Sequence, residues 1–272
     1  GDEVIVFEPV YDSYVPAIET VGGTAVYAQL TFPDYVPDWD QVARLITPKT
    51  RMIIVNSPHN PTGSLFSTVD REKLAKLISG TNIVVLSDEV YEHILFDGEQ
   101  HASLCAHPEL AARSIVVSSF GKTYHITGWK IGYVVGPAAL MAEFRKVHQF
   151  NVFTVHTPSQ LALAEYMQDA GRHLRLAAFY EEKRDFFRQL LAATPFELLP
   201  CRGTYFQLAR YDRISDLPDR AFAEWMTRDV GVAVIPVSAF YANGRDDRVV
   251  RFCFAKQEST LRAAAERLCK AL

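Results

Sequence analysis

Ser118-Ser119-Phe120-Gly121-Lys122-Thr123 closes an apolar run, Ile115 to Ser118, that reads as a buried strand. An amine held at the end of such a strand is drawn out of water, and burial favours the neutral form that condenses with an aldehyde. Lys122 is therefore the leading candidate for Schiff-base chemistry. Two upstream runs end in the same way. Ile53-Ile54-Val55 leads into NSPHNPTG (Asn56 to Gly63), and Ile83 to Leu86 leads into Ser87-Asp88-Glu89-Val90-Tyr91. Open α/β sheets bind ligands beyond the carboxyl ends of their strands, so three polar strand ends are expected to converge on one crevice.

Outward from that stretch, Val4 to Phe7, Thr24 to Tyr27, Met52 to Val55 and Ile131 to Val135 are also short, β-branched and apolar on both faces. Such runs fit a mostly parallel sheet covered by helices. Helical patterns lie between them, including one opened by Ser67 with Asp70 three residues on, a capping-box spacing ahead of Leu74, Leu77 and Ile78. The alternation predicts a three-layer α/β/α sandwich. From Ala138 the pattern turns helical, with segments through Val147, from Thr157 to Met167 and from Arg172 to Ala193. In the last of these Phe179, Phe186, Phe187, Leu190 and Leu191 form one stripe. Short strands follow around Phe196 to Leu199, Thr204 to Leu208, Val232 to Ile235 and Val249 to Phe254, and a final helix aligns Leu261, Ala264, Ala265 and Leu268. We expect a large domain over 1–170 and a smaller α+β domain over 171–272. Gly1-Asp2-Glu3 and the strand after it read as the interior of a domain, so a further N-terminal portion is expected.

With 272 residues, 49% of them hydrophobic, the chain can furnish two cores. Its formal net charge of −4 provides no basic patch for a phosphate backbone, which argues against nucleic acid and for a small soluble ligand. No stretch is apolar for long enough to span a bilayer and no leader pattern opens the chain, so the expected setting is cytoplasmic. Cys105, Cys201, Cys253 and Cys269 are widely spaced, without a metal-ligand pattern; no metal site is expected, and Cys253 and Cys269 read as small core residues.

An aspartate directly after a buried strand needs its charge compensated, and a heterocyclic N–H⁺ does this well. The alternative for Asp88 is a cap on a following helix. Tyr91 falls on the same side of one helical turn and could address the same ligand; its alternative is a core tyrosine. Gly121-Lys122-Thr123 is not a phosphate loop of the Walker type, because the required glycine is replaced by Val116. His59 reads as a loop residue beside Asn60, and His125 as structural.

NSPHNPTG, SDEVYEHILFDG (Ser87 to Gly98), SSFGKTYHITGWKIGY (Ser118 to Tyr133) and RFCFAKQESTL (Arg251 to Leu261) together closely resemble the class I aminotransferases of fold type I, which use pyridoxal 5′-phosphate. Within that class the chain is similar to the kynurenine and glutamine transaminases and, more closely, to the bacterial methionine aminotransferases. The resemblance implies that Lys122 carries the cofactor as a Schiff base and shuttles a proton, and that Asp88 pairs with the ring nitrogen. It implies further that Asn60 and Tyr91 bond the ring's phenolic oxygen, that Tyr11 stacks on the ring, and that Ser119 and Lys130 contact the phosphate. Arg251 would clamp the substrate carboxylate. Substrates would be an amino acid and a 2-oxo acid, the working form a homodimer, and Phe153 a wall of an apolar side-chain pocket. The family's other phosphate loop, its pocket lid and an aromatic residue given across the dimer would all lie ahead of Gly1. Two rival expectations are a β-lyase acting on cysteine conjugates with the same residues and a ligand-sensing domain of a transcription regulator.

Overall fold

A computed structural model describes residues 1–272. The apolar runs form strands β1 (Glu3–Glu8), β2 (Thr24–Thr31), β3 (Val36–Pro37), β4 (Thr50–Asn56), β5 (Val84–Asp88), β6 (Ser114–Ser119) and β7 (Gly132–Val135). They make one seven-stranded sheet in the order β3-β2-β1-β4-β5-β6-β7. The pairings among β1, β2, β4, β5 and β6 are parallel, and β3 and β7 run antiparallel at the two edges. The central strands are apolar on both faces because helices cover both. Ile5, Ile53, Val85, Leu74 and Leu110 are fully buried there.

The register sets the site. Asn56 stands opposite Asp88, and Asp88 opposite Val117, so the carboxyl ends of β4, β5 and β6 lie level. The chain runs outward from β1 to β2, then returns past β1 to β4 and continues the other way. The sheet therefore changes direction between β1 and β4, the place where an open α/β sheet leaves a crevice.

A second sheet is antiparallel throughout, with β8 (Glu197–Leu198), β9 (Phe206–Arg210), β10 (Ile235–Pro236) and β11 (Val249–Cys253) in the order β10-β11-β9-β8. The helix Glu258–Ala271 packs on it through Leu261, Ala265 and Leu268. The two cores interlock. Leu208, Val237 and Val249 join the cluster under the large sheet, whereas Tyr91, Ile94 and Phe96 join the cluster of the small one. At the junction the Gly63 carbonyl accepts the N–H groups of Arg202 and Gly203 at 3.0 and 3.1 Å. A Cβ on Gly203 would sit 2.8 Å from the Ile94 carbonyl oxygen and from Pro58, so only glycine fits this contact.

Several expectations are corrected here. The long helix from Arg172 is broken at Arg175 into Gly171–Leu174 and Leu176–Leu191. Its buried stripe is Leu176, Tyr180, Arg184, Phe187 and Leu191, while Phe179 is exposed. Arg184 is admitted to the buried face because its guanidinium lies 4.7 Å from the Phe96 ring and donates to both Asp97 oxygens at 2.6 and 2.8 Å. Pairing in the Val232 to Ile235 run is confined to Ile235–Pro236. Cys269 is exposed and Cys253 only half-buried; the buried thiol is Cys201.

Candidate active site

Lys122, Asp88 and Asn60 sit at or just beyond the end of a strand, and Arg251 within one. Ser119 closes β6, and its hydroxyl accepts the Gly121 N–H at 3.1 Å, turning the chain into the single helical turn Phe120–Thr123 that presents Lys122. The Ser118 hydroxyl donates to Glu92 at 2.6 Å, and Tyr133 on β7 bonds the same carboxylate, which pins the end of β6. Lys122 is half-buried. Its ammonium lies 5.9 Å from the ring centre of Tyr91 and 5.7 Å from that of Tyr205, over the faces of two tyrosines rather than on a carboxylate.

Asp88 is the last residue of β5. Its Oδ2 accepts the Tyr14 hydroxyl at 2.5 Å and its Oδ1 the Val90 N–H at 3.2 Å. Burial raises its carboxyl above the ordinary range. The Tyr14 and Val90 donors and the charge of Lys122 oppose that rise, and the neighbouring Glu89 adds to it. Lys122 thus lies near enough for its charge to act on the Asp88 carboxyl. No helix follows β5; the segment is a hydrogen-bonded turn in which Glu92 N–H reaches the Glu89 carbonyl. Asp88 is therefore no helix cap. Tyr91 is buried, 5.3 Å from the Tyr205 ring, and its hydroxyl is held protonated by burial and by that neighbour.

Asn60 is placed by the Asn56 side chain, whose Oδ1 accepts the Asn60 N–H at 2.8 Å. Its own Oδ1 accepts from Arg251 Nη1 at 2.5 Å. Because guanidinium can only donate, this bond fixes the amide orientation and turns Nδ2 outward as a free donor. Arg251 sits mid-strand in β11, between Leu208 and Ile235, with its guanidinium 4.0 Å from the Phe206 ring and 5.1 Å from Phe240. Burial without a carboxylate partner lowers its pKa, and its Nε has no hydrogen-bond partner. Such a cation is an open seat for an anion.

Tyr11 is at the crevice edge, its ring 5.4 Å edge-on from Tyr14. Lys130 is exposed on the link between β6 and β7, in a left-handed conformation (φ 55°). Phe153 is not brought to this cluster. Its side chain is 82% exposed just past the end of the helix Ala138–Asn151. His59 is buried and satisfied by Thr62 at 2.7 Å, with burial holding its pKa down at about 3, so it stays neutral. His125 takes the Tyr180 hydroxyl at 3.2 Å.

Two contributors escaped the sequence reading. Tyr14 carried a readable signal, since it follows Tyr11 by three residues, the spacing of one helical turn. Tyr205 carried none, as it arrives from the small sheet through Thr204, a buried β-branched residue at φ 67°.

Comparison with known proteins agrees with this arrangement. The profile of the family "Aminotransferase class I and II" matches residues 1–268. The methionine aminotransferase of Escherichia coli is 50% identical over 98% of this chain and 70% of its own length. The kynurenine–oxoglutarate transaminase 1 of Rattus norvegicus is 35% identical over 99% and 72%. Among solved structures, the Escherichia coli protein YbdL, whose structure and reactivity identified a methionine aminotransferase function, superposes with a TM-score of 0.97 at 49% identity. The match covers 99% of this chain and 72% of that one. A Thermus thermophilus aspartate aminotransferase superposes at 0.90, with 31% identity over 100% and 70%. With a family profile spanning nearly every residue and a fold shared at such identities, the chain belongs to the class I and II aminotransferases, enzymes that use pyridoxal 5′-phosphate.

Proposed function

We propose that this protein moves the amino group of an apolar or sulfur-containing L-amino acid, methionine above all, to a 2-oxo acid. The observation that carries the reading is the grouping of Lys122 and Arg251 around Tyr91, with the charge of Lys122 also acting on the Asp88 carboxyl and Arg251 left without a carboxylate partner. The residues fit pyridoxal phosphate. A buried carboxylate without a cation of its own suits a ring N–H⁺, an amine between tyrosine faces suits an aldehyde, and the free Asn60 Nδ2 suits a phenolate oxygen.

When bound, the cofactor supplies an aldehyde for amines and a ring that accepts the electron pair left at the substrate Cα. Lys122 would hold the cofactor through its amine and would be the group that takes and returns the substrate Cα proton. Asp88 would pair with the ring nitrogen, Asn60 and Tyr91 would hold the phenolic oxygen, Tyr11 would hold the ring, and Ser119 and Lys130 would hold the phosphate. Arg251 binds the substrate carboxylate through the edge bearing its unpartnered Nε. The tyrosines around Lys122 offer a polarizable surface to a thioether, in keeping with the similarity to a methionine aminotransferase.

We further assign residues 1–170 to the large unit and 171–272 to the small one, and place the enzyme in the cytoplasm as a homodimer. Supporting the dimer, Phe150, Phe153 and Leu174 leave large apolar surface in water. The test is a panel of methionine, glutamine, kynurenine, phenylalanine and aspartate, assayed on the full natural chain loaded with cofactor. We expect kcat/KM for methionine to exceed that for aspartate by on the order of 10²-fold. Preference for aspartate, or release of pyruvate and ammonia from a cysteine conjugate without any oxo acid as the faster reaction, would contradict the reading.

A further inference from the structure

Tyr14 opens the short helix Tyr14–Thr20 that follows β1, yet its hydroxyl ends 2.5 Å from Asp88 at the tip of β5, reaching over the end of β4. This bond crosses the place where the sheet changes direction, so it joins the two halves of the crevice. Tyr14 is also tied to Tyr11, whose carbonyl accepts the Tyr14 N–H at 3.2 Å and whose ring meets the Tyr14 ring edge-on. One turn of chain thus carries both the ring-stacking side chain and the partner of the carboxylate.

We propose that Tyr14 is a positioning residue for transamination that acts through Asp88, keeping the proton shared between that carboxylate and the cofactor ring on the ring nitrogen. The inference rests on the reading that Asp88 meets the ring nitrogen. A buried carboxylate is a stronger base than one in water and competes for the proton of a pyridinium. If the proton passes to the carboxylate, the ring is left neutral and loses its capacity to accept electrons from Cα. A phenol donating to Oδ2 stabilises the anion and weakens it as a base, and the Val90 N–H at Oδ1 adds to the effect. The groups facing Asp88 divide accordingly. Tyr14, Val90 and Lys122 favour its ionised form, while burial and Glu89 oppose it. The phenol itself does not ionise in the working range, since burial and the adjacent carboxylate both raise its pKa, so it remains a donor throughout. With one donor on each oxygen the carboxylate plane is also fixed against rotation.

The experiment follows the ring nitrogen directly, by ¹⁵N NMR of the full natural chain loaded with ring-labelled cofactor. Wild type should show a pyridinium shift. Tyr14→Phe should move it toward neutral pyridine and reduce kcat about tenfold with KM changed by less than about threefold. Placing 3-fluorotyrosine at position 14, a stronger donor of nearly the same shape, should keep the shift at or beyond the wild-type pyridinium value. In an Asp88→Asn background, Tyr14→Phe should change kcat by less than about twofold. A Tyr14→Phe enzyme with unaltered shift and kcat, or a fluorotyrosine enzyme whose shift moves toward neutral pyridine, overturns the role of Tyr14 while leaving Asp88 in place. A ring that stays protonated in Asp88→Asn overturns the assignment of Asp88 itself.

Discussion

Asp88 shows what a buried charge demands of its neighbours. In the protein without cofactor its carboxyl lies above the ordinary range because burial outweighs Tyr14, Val90 and Lys122. A carboxyl raised on folding takes up protons in the native state that the unfolded chain has already released. Its contribution to stability is therefore complete below the unfolded value near 4 and is lost as pH climbs through the folded value. Asp88→Asn should accordingly leave the cofactor-free protein more stable than wild type at neutral pH, with the gap closing as pH falls toward 4. Urea unfolding at several pH values checks this, and a variant less stable than wild type at pH 7 would contradict it. The same residue was singled out in the sequence because it closes a buried strand, although a helix cap was the alternative until the aminotransferase resemblance was added. Lys122 and Asn60 were legible for that reason too. Tyr205 was not, since it reaches Lys122 through a contact between distant parts of the chain that no local pattern announces.

At the level of single elements, the strands were readable because β-branched runs buried on both faces allow little else, and their ends came out within a few residues. Ser67 was equally readable, and the capping box with Asp70 is present in full: the Ser67 hydroxyl accepts the Asp70 N–H at 3.1 Å and the Asp70 carboxylate accepts the Ser67 N–H at 2.9 Å. Ser67→Ala should lower stability by about 1 kcal/mol with transamination unchanged, as thermal unfolding and a routine activity assay would show. The helix Leu176–Leu191 was misphased for an instructive reason. Its aromatic residues suggested the stripe through Phe179, but Asp97 and Phe96 take up Arg184, and His125 and Tyr205 take up Tyr180, so an arginine and a tyrosine are buried instead. Phe153 was named from its place beside a site motif, and on this chain alone its side chain faces water.

On the scale of the whole molecule, the site belongs to neither sheet alone. Lys122 and Asp88 come from the large sheet, Arg251 and Tyr205 from the small sheet and its approach, and Asn60 is held by the Arg251 guanidinium across the junction. The interlocked cores and the close approach at Gly203 keep these parts in register, so the fold supplies a preformed crevice rather than a set of loops. The central claim is that one amine of that crevice holds the cofactor. Borohydride reduction of the loaded full chain, followed by peptide mapping, tests it most directly. The account predicts a phosphopyridoxyl group on Lys122 and on no other lysine, and a label on a different lysine, or none at all in a protein that binds the cofactor, would contradict it.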